Sequence, residues 1–110
     1  MKHIKLFESY LYESDGWKLV ISNPDANEWV VKALKGTKEI GRLDFIESRF
    51  KPVLKATGVT VDPAHRRVGV GSSMYEFAEK RLSKKFVRNE DVLTADGKSI
   101  WDSPNRKFGI

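Results

Sequence analysis

The sequence predicts an α+β fold: a short N-terminal helix, a mainly antiparallel twisted sheet, and a strand, glycine loop and helix in succession. Two observations predict it. From Trp17 to Val61 apolar residues alternate in short segments punctuated by turn residues, the pattern of strands with one buried face. From Val59 to Leu82, VTVDPAHRRVGVGSSMYEFAEKRL, the apolar period changes from two to about 3.6 across a glycine-containing turn. At 110 residues the chain can bury one hydrophobic core and is too short for two, so residues 1–110 read as a single domain.

Each element has its own signal. Ile4, Phe7, Tyr10 and Leu11 fall at helical spacing within Met1–Glu13, which reads as a short amphipathic helix packed on the sheet and ended by Ser14-Asp15-Gly16. Trp17–Ser22 alternates as a strand, Asn23–Asn27 reads as a turn, and Glu28–Lys35 is a second strand rich in Trp, Val and Leu. Gly36-Thr37 closes a hairpin to a third strand, Lys38–Glu47. The apolar parity slips there between Ile40 and Leu43, which predicts a bulge at Gly41-Arg42. After a loop, Ser48–Pro52, the fourth strand Val53–Val61 leads into the glycines. The helix that follows, from about Ser72, sets Met74, Tyr75, Ala78 and Leu82 against Glu76, Glu79 and Lys80. Phe86-Val87 marks a short fifth strand within Lys84–Asn89.

Composition removes several function classes. There is no cysteine, which excludes disulfides, thiolate metal sites and a cysteine nucleophile, and two distant histidines predict no metal site. Apolar runs are short and the N-terminus has no hydrophobic signal core, so no membrane association is expected and the protein reads as cytoplasmic. The net charge of +5 suits an anionic cofactor or an acidic partner. Nucleic acid is disfavoured as a partner, because charge is balanced elsewhere and no aromatic-basic repeat exists. Lys80, Lys84 and Lys85 read as a solvated helix face.

The chemistry concentrates at Arg66-Arg67-Val68-Gly69-Val70-Gly71, an R-x-x-G-x-G run between a strand and a helix. Such a loop gathers backbone N–H groups at a helix N-terminus, where unpaired amides and the positive end of the dipole favour an anion. A dinucleotide fingerprint would need a third glycine where Met74 stands, and a Walker loop would need a closing Gly-Lys-Ser/Thr. With Val61-Asp62-Pro63 upstream and Ser72-Ser73-Met74-Tyr75 downstream, the run resembles motif A of the GNAT superfamily of acetyl-CoA-dependent N-acetyltransferases. A second segment, Leu93–Trp101 followed by Arg106-Lys107-Phe108-Gly109, resembles the family's later cofactor segment. Its L-T-x-D-G-x-x-x-W spelling is similar to compact bacteriophage-encoded members, which implies the host cytoplasm as location.

The resemblance implies a site. Backbone amides of Arg67, Val68, Gly69, Val70, Gly71 and Ser72 would hold the pyrophosphate of acetyl-CoA, with Arg66 at the family's Q/R position. Gly69 and Gly71 would allow close backbone approach. Arg67 and His65 stand near enough in sequence for the adenosine 3′-phosphate or neighbouring anions, or are exposed basic residues with no fixed role. Val59 and Val61 would present backbone groups to the pantetheine arm, on a strand that splays from the fifth. Transfer to an amine needs a base and an acid for the departing thiolate. Asp44, Glu47 and Asp62 are possible bases; where the family's tyrosine would fall stands Trp101, with Ser99 and Ser103 as weak substitutes.

The chain departs from the family at the acceptor side. Two helices that usually separate the first two strands are replaced by Asn23–Asn27, and the sequence stops at Ile110 where two further strands would begin. The resemblance therefore implies a large acceptor such as a protein, or a second copy that completes the site as a homodimer. The alternatives are a non-catalytic GNAT-derived module that binds a host or partner protein, and a nucleic-acid-binding domain.

Overall fold

The computed structural model describes residues 7–14, 16–66, 69–89, 95–104 and 106–110, with residues 7–14 described by backbone only. In order these form β1 (Phe7–Ser14), β2 (Trp17–Asp25), β3 (Glu28–Lys35), β4 (Lys38–Glu47), β5 (Val53–Val61), a short 3-10 turn (Pro63–His65), α1 (Val70–Leu82), β6 (Lys85–Val87) and α2 (Ala95–Trp101). The six strands lie in one sheet in chain order, every pair antiparallel except β5 with β6. Among the described residues no helix is long and apolar enough to cross a membrane.

The predicted N-terminal helix is corrected by β1. Residues 1–6 lie outside the described residues, but Phe7–Ser14 is a strand paired with β2 from Phe7↔Ser22 to Ser14↔Trp17. Phe7, Tyr10 and Tyr12 are strand-favouring residues, and Asp-Gly is a strong signal for a two-residue hairpin connection. Gly16 has φ +80, the left-handed conformation that such a reversal uses. An isolated helix of this length is marginal, whereas pairing with β2 gives the segment a ladder of backbone hydrogen bonds along one edge. The first two strands are thus joined across positions 15–16. The Asn23–Asn27 turn is tighter than predicted: β2 continues to Asp25, which pairs with Glu28. The Asn23 side-chain amide ties this turn by donating to the carbonyls of Asp25 and Glu28, at 2.7 and 2.6 Å.

The core lies between one sheet face and α1. Val31, Leu43 and Val59 are register partners across three strands and all are buried. Their neighbours Lys32, Arg42 and Thr60 point to the opposite face by strand alternation. Helix α1 contributes Val70, Met74, Tyr75, Phe77 and Ala78, with Met74 and Tyr75 fully buried as the helical pattern predicts. The irregularity in β4 falls at Ile40, one residue before the predicted position, because Ala33 pairs with Gly41 while Leu34 pairs with Glu39. Gly41 lets α1 sit close to the sheet: a Cβ there would lie 2.9 Å from Cγ1 of Val70.

Two features of β5 place the functional region. A second irregularity separates Asp44↔Gly58 from Phe45↔Ala56. The parallel partner β6 pairs only with Val53–Lys55, so β5 and β6 diverge before the glycine loop. The space beside the end of β5 is taken by α2, whose Trp101 is buried.

Candidate functional site

Strand β5 ends at Val61, and Pro63 fixes the 3-10 turn that carries the chain toward α1. Gly69, the N-cap of α1, has φ +90 and donates no side-chain cap. The Ser73 amide bonds to the Gly69 carbonyl at 2.9 Å, so helix geometry leaves the amides of Val70, Gly71 and Ser72 without an intrahelical acceptor. These amides border a cleft of about 570 Å³ whose walls include Val61, His65, Arg66, Asp96, Ser99 and Ile100. Such a volume is within the roughly 300–1,000 Å³ typical of small-molecule sites.

The two glycines serve different ends. At Gly69 nothing crowds a would-be Cβ, and the positive φ alone calls for glycine. At Gly71 the helix is regular, but a Cβ would lie 2.3 Å from Cδ1 of Ile100. Gly71 is therefore needed for α2 to close over α1, a packing reason where the sequence predicts close backbone approach to a ligand.

Polar groups at the end of β5 are drawn together from three elements. The Asp96 carboxylate, on the first turn of α2, accepts the Val61 amide at 3.0 Å and faces the Arg66 guanidinium at 3.3 Å. Arg66 Nε in turn donates to the Val61 carbonyl at 3.3 Å. The Val61 backbone groups predicted to face a cofactor arm are thus engaged by the chain's own side chains. Farther along the same edge, Asn89 donates to the Ala56 carbonyl at 3.3 Å. At the turn, His65 Nδ1 lies 2.8 Å from the Asp62 carboxylate, with the Lys38 ammonium at 3.9 Å. The His65 hydrogen bond chiefly holds the Asp62 carboxyl below the usual carboxylate range.

The sequence-predicted residues separate on this frame. Arg66, Gly69, Val70, Gly71, Ser72 and Val61 line one cleft with Ser99, whereas Val59 is buried beneath it in the core and Arg67 and Val68 lie outside the described residues. Asp62 borders the cleft through His65. Asp44 sits on the opposite sheet face in a forked pair with Arg42, at 3.1–3.2 Å. Glu47 lies at the other end of β4, where it accepts the Trp29 indole at 2.9 Å and the Lys84 ammonium at 2.6 Å. Trp101 is a core residue, edge-on to Tyr75 and Phe108 with Arg106 over its ring. Burial pushes the Tyr75 phenol up to about 12, the Trp101 indole opposing. Asp96 and Ile100 were not singled out by sequence; a helix-opening aspartate was the available signal, without an indication of its partner 35 residues away.

The amides at the start of α1 and the volume of the cleft fit a pyrophosphate, while Asp96 keeps the adjoining strand edge covered. No curated protein matches this chain. Among solved structures it is similar to an aminoglycoside acetyltransferase from an uncultured soil metagenomic sample. In that protein's trehalose complex the TM-score is 0.60 at 19% identity, over 74% of this chain and 59% of the other. The sisomicin complex of the same enzyme gives a TM-score of 0.52 at 20% identity, covering 60% and 49%. This chain therefore spans about three-fifths of the length of its structural neighbour, and at these identities the likeness establishes the fold. A family profile matches as well, over residues 2–96, and with it the fold and the glycine turn lead to one conclusion: the chain belongs to the acetyltransferase (GNAT) family, whose co-substrate is acetyl-CoA.

Proposed function

We propose that residues 1–110 form a single acetyltransferase domain that moves an acetyl group from acetyl-CoA to an amine on a protein or another macromolecule. The observation that carries this is the uncapped N-terminus of α1, turned by Gly69 and opening onto the cleft. When bound, acetyl-CoA supplies an activated thioester. The amides of Gly69, Val70, Gly71 and Ser72 hold its pyrophosphate, joined by Arg67 and Val68 as the family pattern implies. Val59 and Val61 form the strand beside which its arm runs. Ser99 and Ser103 bring hydroxyls to the cleft wall, and His65 brings an imidazole oriented by Asp62. With two positions joining β1 to β2, the acceptor side has little wall of its own. A macromolecular acceptor, or a second copy forming a homodimer, would supply it. The Leu93–Trp101 spelling supports a compact phage-type member acting in the host cytoplasm.

Calorimetry with acetyl-CoA and CoA tests the reading, and wild-type protein that binds neither overturns it. Gly71→Asp is a poor probe because it strikes Ile100. Ser72→Asp is a cleaner one. A carboxylate in the first turn favours the helix dipole but repels a phosphate, so thermal stability is expected to hold while affinity falls at least about tenfold.

A second reading, a non-catalytic module that binds a partner protein, is favoured by a specific observation. Trp101 is sealed in the core, Asp44 and Glu47 are paired away from the cleft, and Asp62 is engaged by His65 and Lys38. Acetyl-CoA binding with no acetylated product in proteome-wide mass spectrometry would select it.

A further inference from the structure

We propose that Asp96 is a displaceable latch: in the free chain its carboxylate holds the Val61 amide and Arg66, and acetyl-CoA must release it to lie along β5. The proposal rests on the acetyl-CoA reading above. It begins from an unmet need at the end of β5. Because β6 pairs only as far as Lys55, the Val61 N–H has no strand partner on the α2 side. A half-buried amide there requires an acceptor. Asp96 Oδ2 is that acceptor at 3.0 Å, and its second oxygen is 3.3 Å from Arg66, which closes a ring back to the Val61 carbonyl. A ligand whose arm carries amide carbonyls offers the same kind of oxygen, so it competes with Asp96 for one donor.

Three features make the carboxylate, and not the whole helix, the moving part. The Asp96 side chain is 18% exposed and lines the cleft, so rotation about its own bonds carries it into open space. Helix α2 is anchored elsewhere, by Trp101 among Tyr75 and Phe108 and by Ile100 against Gly71. Arg66 is 53% exposed, and on release from Asp96 its guanidinium is left at the edge of the anion cradle with no carboxylate to neutralise it. Opening the latch thus exposes a donor for the arm and frees a cation for the phosphates in a single step. The closed form keeps the cradle less attractive to unrelated anions that lack the arm.

The test combines calorimetry with NMR of the full chain, with acetyl-CoA as the probe. Asp96→Ala is expected to bind about tenfold more tightly than wild type, the worth of one charge-assisted hydrogen bond no longer broken on binding. In wild-type protein the Val61 amide and the Asp96 carboxyl carbon are both expected to shift on titration. Equal or weaker binding by a folded Asp96→Ala overturns the latch. If that variant does not fold, the wild-type spectrum decides, and an Asp96 carboxyl carbon unmoved at saturation overturns it too. Binding by Asp96→Ala but not by wild type overturns the latch as a displaceable one, because acetyl-CoA then fails to release Asp96. Absence of binding in both overturns the acetyl-CoA reading and the latch with it, whereas wild-type binding with an unmoved Asp96 overturns the latch alone.

Discussion

Two carboxylates, Glu79 and Asp96, do similar chemistry at opposite ends of the sheet with different results. Glu79 is 7% exposed; its Oε2 accepts the amides of Phe86 and Gly109, at 2.7 and 2.8 Å, and its other oxygen faces Lys85 at 3.5 Å. Asp96 accepts one amide, that of Val61, and its ionic partner is half exposed. The first gathers α1, β6 and the C-terminal segment around a carboxylate that solvent barely reaches. The second touches three elements as well, but along the wall of a cleft. The difference teaches that a backbone donor left by an interrupted sheet can be sealed permanently or covered provisionally, and that accessibility of the acceptor decides which.

The comparison can be broken in order of expected effect. Glu79→Ala strands the buried Phe86 amide and the part-buried Gly109 amide and is expected to cost about 3 kcal/mol, read as a fall in the urea midpoint at constant slope. A smaller loss than that of Asp96→Ala would dissolve the contrast. Next, Gly71→Ala overpacks the contact of α1 with α2 and is expected to cost about 2 kcal/mol. Adding Ile100→Ala should recover most of that loss if Ile100 is the obstacle, and its failure to do so would assign Gly71 to another role. The smallest effect belongs to Glu47. The Lys84 hydrogen bond holds its carboxyl below the usual range, aided by Trp29 and opposed by partial burial. Its folded pKa is depressed, so its contribution is present above the titration of the unfolded chain and vanishes as pH falls through the folded value. Glu47→Gln should therefore flatten the acid limb of stability by about 0.5–1 kcal/mol, seen in denaturation from neutral to acidic pH.

Much of this could be read locally, and the remainder was set by distance. The strand, glycine turn and α1 were legible because the change of apolar period, Pro63 and the glycines lie within two dozen residues. The first strand was not, because Ile4, Phe7, Tyr10 and Leu11 satisfy a helical stripe while the competing pairing depends on β2. Asp15-Gly16 fits a helix end as well as a hairpin turn, and the sequence alone does not choose between them. At the site, Gly69 and Ser72 were visible from spacing. A packing reason for Gly71 was hidden because Ile100 arrives from another helix. Lys84 and Lys85 read as solvated charges, but each meets a glutamate, one of them on β4 and 37 positions away.

Glu79 also sets an order of events during synthesis. The sheet follows the chain, each strand from β2 to β5 pairing with the one made just before it, so that meander can assemble as it leaves the ribosome. Glu79 cannot receive its second amide until residue 109 has emerged. A nascent chain stalled after α1 but short of that point would carry nearly all of its sheet beneath a helix still lacking its last tether.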